Sequence, residues 1–258
     1  MEEQQKKILS HWSAYIYEQQ EDEEDIVRCM CRLIGDEPLN ILEVACGGGK
    51  LCVPLARAGH HVTGMDHDPA MLHYAQKKGA DLPGLRLILG DMLTVPWHSG
   101  YDVVILGTNL LLNIETDWDY RQAQKQLIQR AADALKPGGM LILDFDCPDD
   151  LSPYAGDGEW LCFEGMDDQD TFGRYFVCGG SVNPRSRTVK SLRRYEITPK
   201  EGQPFTVIRQ SVKHFPLLEE VCGWLYRAGF VVQSLGGGHH NQPFDEEHRR
   251  AVICARKG

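Results

Sequence analysis

The chain has 258 residues, and 27 lysines and arginines against 37 aspartates and glutamates leave a net charge of −10, a balance that argues against a nucleic-acid phosphate backbone as partner. Nine cysteines, an odd number, lie scattered through apolar segments, so neither a disulfide framework nor a set of metal ligands is expected. The polar start from Met1 to Lys7 and the lack of any run of about 18 apolar residues give no signal peptide and no spanning helix, so a cytoplasmic protein with no membrane partner is expected.

Residues 2 to 34 read as two helices, with Leu9, Trp12, Tyr15 and Ile16 and then Ile26, Cys29, Met30 and Leu33 at helical spacing. An acidic run from Glu18 to Asp25 joins them. From Leu39 short apolar runs alternate with helical stretches: strands Ile41 to Ala45, Val62 to Met65, Leu85 to Leu89, Val103 to Leu106 and Met140 to Phe145, with helices Leu51 to Ala58, Ala70 to Lys78 and Tyr120 to Leu135 between them. Such alternation predicts parallel strands with crossover helices. Lys136-Pro137-Gly138-Gly139 stops the third helix and turns into the next strand.

Between Pro148 and Lys213 the pattern becomes aromatic and alternating, as in Glu159 to Phe163 and Thr171 to Val177, with breaks at Asn183-Pro184 and Pro199 to Gly202. These are antiparallel strands by their period. Arg185, Arg187, Lys190, Arg193 and Arg194 form the main basic cluster, and their alternation with apolar residues reads as a solvated strand face. A last helix, Leu217 to Ala228, leads into strands Phe230 to Leu235 and Ala251 to Ala255. The expected fold is α/β: a doubly wound, mostly parallel seven-stranded sheet with an N-terminal helical cap and an inserted antiparallel β lid. As a single domain of residues 1–258, it divides into a cap at 1–38, a core at 39–147 and 214–258, and a β-rich insertion at 148–213.

The chemistry concentrates in Ile41 to Leu51, an apolar strand that runs into Gly47-Gly48-Gly49 and opens a helix. Consecutive glycines let a ligand approach the backbone. Asp66 lies roughly 20 residues further on, at the end of the second strand, where a carboxylate accepts from both ribose hydroxyls of a nucleoside. A dinucleotide site wants a third small residue where this chain has Cys52, and Glu43 suits a cationic ligand better than a pyrophosphate. Gly90-Asp91-Met92, after the third strand, offers an acid and an amide to the amino edge of an adenine. Each of these residues has a plainer reading as a turn or helix cap; their joint spacing carries the functional one.

Glu43 to Gly49, Asp66 and Gly90-Asp91-Met92, with Tyr101-Asp102-Val103-Val104 and Leu135 to Gly139, resemble the class I S-adenosylmethionine-dependent methyltransferases of small-molecule type. The resemblance spans about residues 39 to 145 and resumes at Leu225 to Phe230 and Arg250 to Lys257. It implies S-adenosylmethionine as cofactor, S-adenosylhomocysteine as product and in-line methyl transfer to a small-molecule acceptor. It places Ala45 and the Gly47 to Gly49 turn under the methionine and ribose, Asp66 on the ribose, His67 beside the adenine, and Asp91 and the Met92 amide on its edge. The Leu106 carbonyl would meet the ammonium, Glu43 would favour the cationic end, and Tyr15 or Tyr17 would close over the methionine.

An acceptor that must lose a proton would call for a base. His214, His239 and Tyr15 are the candidates, although His214 also reads as a turn residue and His239-His240, beside three glycines, as a solvated tip. Asn113 reads as a turn cap or an acceptor-orienting group. The aromatic insertion (Trp160, Phe163, Phe172, Tyr175 and Phe176) would enclose an acceptor, form its own core, or serve as a homodimer face. The competing readings are a non-catalytic nucleoside-binding protein and a nicotinamide-dependent oxidoreductase.

Overall fold

The structure is a computed structural model that describes residues 2–20, 24–245 and 249–258. Residues 21–23, the middle of the acidic run, lie outside the described residues. The chain divides into two compact units, one made of residues 23–149 and 215–258, the other of residues 1–22 and 150–214.

The larger unit is built on a seven-stranded sheet of β1 (Asn40–Val44), β2 (His61–Asp66), β3 (Leu85–Leu89), β4 (Tyr101–Leu106), β5 (Leu135–Asp146), β10 (Phe230–Gly236) and β11 (Arg250–Lys257). Their order across the sheet is β10-β11-β5-β4-β1-β2-β3. The pairs around β1 are parallel, whereas β11 runs antiparallel to both β5 and β10. Strands β1 and β4 are largely apolar, Asn40, Glu43 and Asp102 apart, because both of their faces are covered. Ile41, Val103 and Ile105 join one apolar cluster with Met30 and Leu55, while Leu42, Val104 and Leu106 join another with Leu127 and Trp224. Helices α2 (Glu24–Ile34), α3 (Cys52–Arg57) and α4 (Pro69–Lys78) supply the first cluster, and α5 (Tyr120–Ala134) and α6 (Leu218–Arg227) the second. The order reverses between β1 and β4, and ligands of open α/β sheets bind outside the strand ends at such a reversal.

In the smaller unit, α1 (Glu3–Gln20) packs on a four-stranded antiparallel meander of β6 (Gly156–Met166), β7 (Phe172–Asn183), β8 (Thr188–Thr198) and β9 (Phe205–His214). Leu9, Trp12 and Ile16 form the buried stripe of the helix, and Trp12 Nε1 donates to the Gly165 carbonyl at 2.9 Å. Tyr175 and Tyr195 stack with centroids 4.7 Å apart below that stripe. The two helices expected as one cap are thus divided between the units. The basic cluster is partly neutralised, since Arg194 pairs with Glu159 at 2.6 Å and with Glu196 at 3.0 Å. Among the described residues, no helix is long and apolar enough to cross a membrane.

Candidate cofactor site

The turn after β1 begins with Ala45 in the left-handed region, φ 56°, followed by Gly47 at 53° and Gly49 at 78°. The two glycines do different work. A Cβ on Gly47 would meet nothing within 4 Å, so that side of the turn stays open, whereas one on Gly49 would sit 2.9 Å from both Ala75 Cβ and Val53 Cγ2. Gly49 is therefore a packing glycine for α3 and α4. A similar economy explains Cys52: Gly64 of β2 lies so close that a Cβ there would stand 2.8 Å from Cys46 Sγ and 3.2 Å from Cys52 Sγ. The small residue needed for close approach of helix and strand sits on the strand. Contact with Cys52 and burial push the Cys46 thiol well above its ordinary range.

Asp66 ends β2 and ties the turn to it. Its Oδ2 accepts the Gly47 amide at 2.8 Å and its Oδ1 the Asp68 amide at 2.9 Å, yet each carboxylate oxygen has a second lone pair. The Asp66 carbonyl accepts the Gly90 amide at 2.8 Å, which brings the segment after β3 alongside. There Asp91 Oδ1 accepts the Leu93 amide at 2.7 Å, and the Met92 carbonyl accepts Trp97 Nε1 at 3.1 Å, so both are held in a fixed turn. Beyond β4, Thr108 and Asn109 are both left-handed, φ 48° and 63°.

These segments enclose a cleft of about 370 Å³ at the reversal of strand order. Ala45 comes from the β1 exit, Met65 and Asp66 from β2 with His67 just beyond it, Gly90 to Met92 from the β3 exit, and Thr108, Leu110, Asn113 and Glu115 from the β4 exit. The cleft brings together Ala45, Asp66, His67, Asp91 and Met92 of the expected set. Glu43 is buried in β1 on the Ile41 face, and the Leu106 side chain is fully buried under the sheet. Tyr15 and His214 belong to the smaller unit, Tyr15 against the Trp12 cluster and His214 buried at the end of β9. His239 is not a solvated tip: its side chain is 19% exposed, with Nε2 3.3 Å from Asp144 Oδ1, and Arg32 Nη2 holds its carbonyl at 3.1 Å. His240 keeps the exposed character, 70%, beside Asp25. Asn113 lines the cleft, and Met65, Thr108, Leu110 and Glu115 join it without having been singled out by motif.

Three carboxylates and no lysine or arginine line the cleft among the described residues. That donor set suits a nucleoside carrying positive charge. Residues 41–139 match the family model described as a methyltransferase domain. A demethylmenaquinone methyltransferase of Staphylococcus aureus (strain JH9) is 28% identical over 204 residues, which cover 76% of this chain and 71% of that protein.

Residues 41–139 are thus similar to a methyltransferase domain. The chain's fold matches that of solved methyltransferases along most of its length. An S-adenosylmethionine-dependent methyltransferase from Clostridium acetobutylicum ATCC 824 superposes with a TM-score of 0.71 at 17% identity, covering 97% of this chain and 98% of that one. The CcbJ methyltransferase from Streptomyces caelestis superposes at 0.72 and 18%, covering 95% and 96%. The cleft at the β1–β4 reversal is lined by three carboxylates, Asp66, Asp91 and Glu115.

Proposed function

We propose that this protein transfers the methyl group of S-adenosylmethionine to a small-molecule acceptor at the cleft between the ends of β1 and β4. The observation that carries the reading is the lining itself: Asp66 beside an open-sided Gly47 turn, Asp91 with Met92 across from it, and no cationic side chain among the described lining residues. The Asp66 lone pairs not used by the Gly47 and Asp68 amides would take the ribose hydroxyls. Asp91 would accept the adenine amine, the Met92 amide would donate to the ring, and His67 would lie beside it. The open side of Gly47 and the Leu106 carbonyl would receive the methionine end, with Glu43 beneath contributing negative potential.

The cofactor supplies an electrophilic methyl on a sulfonium whose departure leaves a neutral thioether. The protein's share is then to align the acceptor in line and to keep water out. Ala45, Thr108 and Asn109 hold left-handed backbone at the two strand ends where that alignment is set, which is where strained conformations cluster in active sites.

Calorimetric titration with S-adenosylmethionine, S-adenosylhomocysteine and NAD tests the reading. Binding of the first two and not of NAD, followed by transfer of label from methyl-labelled cofactor to a member of a metabolite panel, supports it. Preference for NAD would refute it, and tight cofactor binding with no acceptor in any panel would favour a non-catalytic binding protein.

A further inference from the structure

Thr108 and Asn109 occupy the left-handed region consecutively, and neither is glycine. A β-branched residue rarely enters that region, so contacts outside the turn must hold it. Those contacts come from the end of β5. The wholly buried Asp144 accepts the Thr108 amide on Oδ2 at 3.1 Å, and its carbonyl accepts the Asn109 amide at 3.0 Å. The Asn109 side chain closes on Asp146 in both directions, Nδ2 donating to Oδ2 at 2.8 Å and Oδ1 accepting the Asp146 amide at 2.6 Å.

Arg250, the first residue of β11, fixes both carboxylates. Its Nε and Nη2 lie 2.7 Å from Asp144 Oδ1 and Oδ2, and its Nη1 donates to Asp146 Oδ1 at 3.1 Å. A two-pronged guanidinium contact of this kind fixes a carboxylate in plane as well as in place. His239 completes the surround of Asp144 at 3.3 Å. Thr108 in turn lines the cleft.

We propose that Asp144 and Arg250 are positioning residues, which lock the turn after β4 in its left-handed form and thereby set the Thr108 wall of the cleft. What that wall does in catalysis rests on the methyl-transfer reading; the clamp itself does not. Removing Arg250 leaves the buried Asp144 carboxylate without its guanidinium, and removing the Asp144 carboxylate takes from the Thr108 amide the acceptor that opposes relaxation of the turn.

The test follows amide exchange at Thr108 and Asn109 by NMR in the full chain without ligand. Calorimetric titration with S-adenosylhomocysteine accompanies it, for the wild type, Asp144→Asn, Arg250→Lys, and each variant with Thr108→Gly added. Both amides should exchange about tenfold faster in the single variants, and affinity should fall about tenfold, the weight of one or two hydrogen bonds to a charged group. Thr108→Gly enters the left-handed region without steric cost, so it should restore most of the affinity, which a general loss of stability would not allow. Unchanged exchange, or a binding loss that Thr108→Gly leaves in place, overturns the proposal. If Asp144→Asn does not fold, Arg250→Lys carries the same comparison, since it keeps the charge and loses the fork. Protected amides that open on mutation in a chain with no affinity for S-adenosylhomocysteine would sink the methyl-transfer reading and leave the clamp standing.

Discussion

The Asp66 carboxylate reaches back to the Gly47 amide, Oδ2 to N 2.8 Å, so one side chain both anchors the glycine turn and faces the cleft. Its two oxygens already hold two amides in place before any ligand arrives.

Asp66→Ala should therefore lose about 1–3 kcal/mol of stability from the orphaned amides, and binding of S-adenosylhomocysteine should fall about a hundredfold. Asp66→Asn should bind better than Asp66→Ala, because its one carbonyl oxygen still accepts. Denaturant unfolding and calorimetry measure the two effects separately, and an Asp66→Ala protein that binds like the wild type would exclude this residue from the site.

The two glycines of the turn should fail differently. Gly49→Ala brings a methyl against Ala75 and Val53 at 2.9 Å and at φ 78°, and should cost about 2–4 kcal/mol by overpacking and backbone strain. Gly47→Ala meets open space, so it should cost only about 1–2 kcal/mol of left-handed strain while obstructing the ligand. Midpoints of chemical unfolding beside binding constants separate them; equal stability losses would contradict the packing account.

In the smaller unit a Cβ at Gly173 would run into the indole of Trp12, which is 1% exposed. Gly173→Ala should lift α1 from the meander, and Trp12→Ala should cost about 3–5 kcal/mol as a cavity. Proteolysis within residues 3–20 reports the release, and resistance equal to the wild type in both variants would mean that α1 is held elsewhere.

The acid limb of stability should carry the mark of Asp144. Burial alone would raise its pKa, but the His239 imidazole beside it and the hydrogen bonds from Arg250 more than offset it and leave the carboxyl below its ordinary 3.8. A group depressed in the folded state contributes stability above its unfolded value, and that stability is lost as pH falls through the lower, folded one. Below about pH 4, unfolding free energy should therefore fall more steeply in the wild type than in Asp144→Asn; parallel slopes would show that the carboxyl does not titrate there.

At the other extreme, burial pushes the Tyr175 phenol up to about 12 from 10.0. The neutral form is the one the fold accepts, so stability is complete below the ordinary value and drains as pH rises from there through the folded one. Tyr175→Phe should flatten that alkaline decline, and ultraviolet titration should show one fewer late-ionising phenol. A titration identical to the wild type would contradict the burial.

Strands β1 and β4 were legible because a parallel strand covered on both faces is mostly apolar, as Ile41-Leu42 and Val103-Val104-Ile105 are. Asp66 and Asp91 were legible because ligand geometry fixes their spacing from the glycine turn. The clamp was not. Asp144 and Arg250 are 106 residues apart, and each reads locally as the polar end of a strand. Only the placement of β11 beside β5 brings them together. Likewise Gly47 and Gly49 look alike in sequence, and nothing local says that Ala75 crowds one of them. The His239 tip misled for the same reason, since three glycines predict exposure and the carboxylate beside its side chain, Asp144, comes from β5.

Strand β11 is an interior one, lying between β5 and β10 although both precede it in sequence, and α1 finds its partners some 150 residues or more downstream, at residues 163 to 207. A ribosome that has released only the first half has completed neither sheet. Residues 40–106 can pair early, but Asp144 waits for Arg250 and Trp12 waits for Gly173. The smaller unit can close only once β9, Phe205–His214, has been made and the larger only once β11 has, when the long-range pairings that slow folding can form. Until then the apolar stripe of the first helix and the β5 edge stay open to other surfaces, the stage at which chaperones matter most to a chain of this connectivity.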